Sequence, residues 1–185
     1  MFIETETTPN PATLKFLPGT PVMDQGTANF TDADAATRSP LATRLFALGG
    51  VTGVFFGSDF ISVSKDDAAA WPQLKPAVLG AIMEHFTSGQ ALLTRSEAPV
   101  SDAESSDEEG GEIVAQIKEL LETRVRPAVA QDGGDIIFEA FADGIVYLQM
   151  HGSCSGCPSS TATLKAGIEN MLRHYIPEVV EVRAV

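Results

Sequence analysis

The chain has 185 residues, room for one domain or two small ones, and 44% hydrophobic residues supply enough apolar surface for a buried core. Its formal net charge is −13, from 12 basic against 25 acidic residues. Such a surface repels nucleic acid and anionic lipid, and no Lys/Arg cluster offsets it. No apolar run reaches the roughly 20 residues a membrane span needs.

The start, from Met1 to Thr8, is acidic and lacks the cationic and apolar regions of a secretory leader. A cytoplasmic, thiol-reducing compartment is the expectation, and a mature organellar protein would read the same way. In the thiol-reducing cytoplasm a structural disulfide is disfavoured against a metal or redox role.

Phe2 to Glu6 and Thr13 to Phe16 read as short strands around a Pro9-Asn-Pro11 turn. Ser39-Pro-Leu-Ala42 opens a helix, with Ser39 as N-cap and Pro40 at its first position, and Gly49-Gly50 stops it. Val51 to Phe56 and Phe60 to Ser64 form a hairpin around Gly57-Ser-Asp59. From Trp71 to Phe86, the spacing of Leu74, Val78, Ile82 and Phe86 predicts an amphipathic helix. Pro72 suits its first turn, and Pro76 has to sit early too.

Between Glu97 and Glu112 acidic residues alternate with Ser, Ala and Gly, and no basic residue intervenes. A like-charged stretch with little to bury cannot offset its ordering entropy, so a flexible, self-repelling linker is expected. The expected domains are therefore 1–92 and 112–185, joined by a linker over 93–111.

After the linker, Ile113, Ile117, Leu120, Leu121 and Val125 mark a helix that Pro127 should kink or break. Asp132-Gly-Gly-Asp135 is a turn and strand start, and Asp143-Gly144 joins two strands, Ile136 to Ala142 and Ile145 to His151. Leu164, Ile168, Met171, Leu172 and Tyr175 give a second helical face; Pro177 ends it, and Val179 to Val185 is a last strand. The fold class is α+β: two small α/β domains, the C-terminal one ordered helix–strand–strand–helix–strand.

Cys154 and Cys157 are the only cysteines, and they share one loop, Gly152-Ser-Cys-Ser-Gly-Cys-Pro-Ser-Ser160. The loop precedes a helix, whose dipole should lower a thiol pKa and favour the thiolate. Glycines at 152 and 156 allow a tight turn. Four readings stay open. The thiols are inert; or they are a redox pair exchanging disulfides; or they are half of a zinc site; or they are half of an iron–sulfur site. The last two need a second chain, because four ligands are the usual complement. Against a thioredoxin-like pair, too little chain follows Cys157 for the sheet that fold places after its motif.

His151 lies close enough to be a further ligand, with a strand-end role the plainer reading; His85 and His174 fall on helices far from the thiols. No Ser–His–Asp set, paired carboxylates or phosphate loop is found, and no enzymatic activity is expected.

The motifs carry a resemblance. Asp132-Gly-Gly-Asp135, the cysteine loop and Thr163-Leu-Lys-Ala-Gly-Ile-Glu169 closely resemble, in order and register, the C-terminal domain of NifU-like proteins. Thr8-Pro-Asn-Pro-Ala-Thr-Leu-Lys15 and Ser39-Pro-Leu-Ala42 are similar to the N-terminal domain of Nfu-type scaffold proteins. The resemblance implies an iron–sulfur cluster scaffold and carrier. A cluster, typically [4Fe–4S], would be held between two subunits by Cys154 and Cys157 of each and passed to apo-proteins. It also implies upstream assembly proteins as partners and a homodimer when loaded. The acidic linker is longer and more charged than the family needs.

Overall fold

A computed structural model describes residues 1–94, 111–155 and 158–185, with backbone alone over 158–160. Most of the expected linker, and Cys157 itself, lie outside the described residues. The chain divides into two compact units, Met1–Ser101 and Asp102–Val185.

The first unit is one antiparallel sheet with helices packed on it. Its elements are β1 (Glu4–Thr7), β2 (Thr13–Leu17), β3 (Ala28–Phe30), α1 (Ala33–Ala36), α2 (Pro40–Ala47), β4 (Val51–Phe56), β5 (Ile61–Lys65) and α3 (Trp71–Ser88). The sheet order is β1-β2-β5-β4-β3. Alternation puts Phe16 opposite Ile61, and Val54 opposite Val63. These side chains bury against Leu41 and Leu45 of α2 and Val78 and Ile82 of α3. As expected, Ser39 caps α2, its Oγ accepting from the Ala42 N–H at 3.2 Å, with Pro40 in the first turn. Pro76 departs from expectation and lies inside α3. β3 and α1 went unread in the sequence; the first is a three-residue edge strand paired to β4, the second one turn capped by Asp32.

The second unit contains α4 (Gly111–Leu120), a π-helical turn over Leu121–Val125, α5 (Arg126–Gln131), β6 (Gly134–Ala142), β7 (Ile145–Gly152), α6 (Pro158–Tyr175) and β8 (Glu181–Ala184). Of the kink or break expected at Pro127, the break does not occur. The helical run continues because the backbone widens just before the proline: Arg126 N–H bonds back to the Leu121 carbonyl, a π-type step that accommodates the missing proline donor. The widened turn keeps Ile117, Leu121, Val125 and Val129 all buried.

The three strands run β6-β7-β8, with β6 antiparallel and β8 parallel to β7. The hairpin turns at Asp143 and Gly144, whose φ angles are 52° and 77°, the left-handed pair that a two-residue turn requires. A parallel neighbour demands a crossover, and α6 supplies it. Its residues Ile168 and Leu172 pack on Ile136, Val146 and Leu148. The cysteine turn therefore sits where β7 leaves the sheet to become the crossover.

Candidate cysteine site

Strand pairing sets the site. Gly134, at the start of β6, lies opposite Gly152, at the end of β7, and Asp135 lies opposite His151. Gly152 has φ 66°, so the chain turns off the sheet there without a Cβ penalty. Ser155 closes the turn: its N–H and its hydroxyl both donate to the Gly152 carbonyl, at 3.1 and 2.9 Å.

The turn is tied to the segment ahead of β6. Ser153 Oγ donates to the Asp132 carbonyl. Ser153 N–H donates to the Gly133 carbonyl at 3.2 Å. From the far side, Thr161 Oγ1 donates to the Cys154 carbonyl at 3.0 Å.

These bonds place Cys154 inward. It is 5% exposed and packs in the core of the second unit with Ile136 and Met150. Its sulfur rests on Gly134, where an added Cβ would fall 2.5 Å from Sγ and 2.8 Å from the His151 carbonyl oxygen. This overturns the expectation of a thiol depressed by the helix start. Burial dominates and, with the negative charges of Asp132 and Asp135, pushes the thiol up to about 11 against the Ser153 hydrogen bond. Cys154 is a sheltered thiol whose environment favours the neutral form. Cys157 lies outside the described residues.

Asp135 is also buried, at 3% exposure. Arg126 donates to it twice, from Nε and Nη2, at 2.9 Å each. Its Nη1 reaches Glu122 at 3.2 Å, and the Asp135 hydrogen bonds raise the guanidinium pKa further. Asp132 and Asp135 thus mark a turn and strand start, as the sequence suggested, while the Arg126 pairing was not read from it.

His151 is half-buried in β7, and its pKa is lowered by burial against the pull of Asp135 and Glu139. Among the described residues, no group of three or more His, Cys, Asp or Glu side chains converges as a metal-binding set. His174 is exposed beside Tyr175, and His85 is buried in the first unit. The roles of Ser153, Thr161 and Gly134 were missed. The Gly133-Gly134 doublet and the serine preceding Cys154 were the signals that a close approach was needed.

An α+β chain of two units, with a cysteine turn between a strand and a crossover helix, is the class defined so far. Residues 3–89 match the family model described as scaffold protein Nfu/NifU N terminal, and residues 117–183 match the NifU-like domain. The chain is 54% identical over 186 residues to the human (Homo sapiens) protein named NFU1 iron-sulfur cluster scaffold homolog, mitochondrial, covering 100% of this chain and 72% of that one. It is 52% identical over 181 residues to NifU-like protein 4, mitochondrial, of Arabidopsis thaliana, covering 97% of this chain and 64% of that protein. A solution structure of a NifU-like protein from Saccharomyces cerevisiae aligns with a TM-score of 0.42 at 27% identity, covering 51% of this chain and 86% of that one. The chain belongs to the Nfu/NifU-like scaffold family. It spans 64% and 72% of the length of the Arabidopsis and human relatives.

Proposed function

We propose that this chain is an iron–sulfur cluster scaffold and carrier, taking a cluster as cargo and delivering it to apo-proteins without turnover chemistry of its own. The observation that carries the reading is the cysteine turn, Gly152–Ser155, set between β7 and the crossover helix α6 in a chain of this family. Cys154 and Cys157 are the proposed ligands. Two thiolates are half the usual complement, so two copies share one cluster, of the [4Fe–4S] type, and the loaded form is a homodimer.

A cluster shared across a subunit boundary leaves by dimer opening or by thiol exchange with a recipient. That lability suits handover. Partners are upstream assembly proteins and recipient apo-proteins, with nucleic acid and membrane disfavoured by the acidic charge. The proposed domain limits are 1–92 and 112–185, with 93–111 as linker. The proposed compartment is thiol-reducing: the cytoplasm, with a mitochondrial interior, where the relatives' names put those proteins, meeting the same need.

The disulfide-exchange alternative asks for an accessible, low-pKa attacking thiol. Cys154, buried and with a raised pKa, does not meet that description in the cluster-free chain. The test is anaerobic reconstitution of Cys154→Ala and Cys157→Ala. Each is expected to lose bound iron and sulfide while the fold persists. Wild-type iron and sulfide content in either variant overturns the ligand assignment.

A further inference from the structure

A sulfur that is to hold cargo shared with a second chain must reach the protein surface, and Cys154 does not. Its side chain is packed among Ile136, Met150 and their neighbours. Two features keep it there. The first is a niche without a floor side chain: Gly134 leaves the space that Sγ occupies, and any Cβ there would stand 2.5 Å from the sulfur. The second is a tether. Ser153, the residue just before the cysteine, is bound by its hydroxyl to the Asp132 carbonyl and by its N–H to the Gly133 carbonyl. Asp132 and Gly133 immediately precede the niche glycine. The same short segment thus anchors the turn and provides the hole for the sulfur.

The turn also has the makings of a pivot. Gly152, with φ 66°, stands at the point where it leaves β7. Ser155 closes the turn on Gly152, its N–H and its hydroxyl both donating to that carbonyl. Thr161 secures the Cys154 carbonyl from α6 by a single hydroxyl.

We propose that the Ser153–Ser155 turn is a two-position latch. In the cluster-free chain, the Ser153 tether holds the Cys154 sulfur in the Gly134 niche. Taking up cargo draws on the second position, in which the tether is broken and the sulfur faces outward. Ser153 is then a positioning residue, acting through Cys154. The latch rests on the reading of Cys154 as a ligand. Its consequence is that the cluster-free protein shelters this thiol from alkylation and oxidation until cargo is offered.

The test uses the full chain carrying Cys157→Ser, free of iron and under anaerobic conditions, so that Cys154 is the sole thiol. Iodoacetamide labelling is followed by mass spectrometry in native buffer, in sub-denaturing urea and in denaturing urea. Cys154 in native buffer is expected to label at least about 100-fold more slowly than in the denatured chain, as a buried group reached through local opening. Ser153→Ala removes one hydrogen bond of the tether and is expected to speed native labelling about fivefold. Thr161→Val is expected to act in the same direction.

The dependence on urea separates a latch from general destabilisation. Local opening exposes little surface, so the labelling rate should respond weakly to sub-denaturing urea. Labelling that tracks global unfolding overturns the latch. So does a native rate within a fewfold of the denatured one, or a Ser153→Ala rate equal to that of the parent. Iron uptake by Cys154→Ala decides the ligand reading separately. If that variant binds wild-type amounts of iron, the tie between latch and cargo is overturned even where the labelling pattern holds.

Discussion

Arg126 and Asp135 form a two-toothed ion pair, Nε and Nη2 each 2.9 Å from a carboxylate oxygen. The pair joins the start of α5 to the start of β6, one residue beyond the glycine on which the Cys154 sulfur rests. The Asp135 side chain is 5% exposed and the Arg126 side chain 34%. Removing Arg126 takes the countercharge from a buried carboxylate, and removing Asp135 leaves the guanidinium to Glu122 and solvent.

Asp135→Ala is therefore expected to destabilise the second unit by about 2–3 kcal/mol, below the full cost of breaking a wholly buried pair because solvent reaches Arg126. Urea unfolding followed by far-UV circular dichroism measures it. Arg126→Ala should cost a similar amount, and the double variant less than the sum of the two, since both remove the same interaction. Additive costs would show that the pair is not energetically coupled.

Gly134→Ala tests the niche. The new methyl would stand 2.5 Å from Cys154 Sγ and 2.8 Å from the His151 carbonyl, too close for either to remain. Overpacking of this kind costs about 1–3 kcal/mol. The sulfur, the more mobile of the two neighbours, should be driven out, so the variant is expected both to unfold at lower urea and to label faster at Cys154 than the parent. Parental labelling and stability together would mean that the sulfur does not occupy the niche.

His85 is expected to make the first unit acid-sensitive. It is 1% exposed, its Nδ1 finds no hydrogen-bond partner among the described atoms, and burial, helped by the charge of Arg44, lowers its pKa below 6.5. The unfolded chain binds the proton more readily than the folded one. The stability His85 contributes is thus fully present above about pH 6.5 and is lost as pH falls from there towards the depressed folded value. The chain has one tryptophan, Trp71, which packs on the core of this unit and donates to the Pro11 carbonyl at 3.1 Å. Its fluorescence reports the unfolding of this unit. The midpoint should fall on acidification in the wild type and fall less in His85→Leu. Equal acid sensitivity in both would remove His85 as the cause.

Local chemistry made much of this structure legible in the sequence. The Asp143-Gly144 turn, the Ser39-Pro40 cap and the apolar spacing of the helices are written in neighbouring residues, and each formed where expected. What was missed depends on residues distant in the chain. β3 is too short to show a pattern and exists through pairing with β4. The π-helical turn that carries the chain past Pro127 answers to core packing. The inward position of Cys154 depends on Gly134, twenty residues earlier, and on strand register that brings Gly134 opposite Gly152. The motif marks the sulfur; the paired strands set where it points.

The measurement that bears most directly on the central proposal is native mass spectrometry of the anaerobically reconstituted full chain. Sharing of cargo through Cys154 and Cys157 predicts a species of two chains with one cluster, with the cluster-free chain monomeric. A single chain retaining an intact cluster, or a loaded dimer formed by Cys154→Ala, would contradict it.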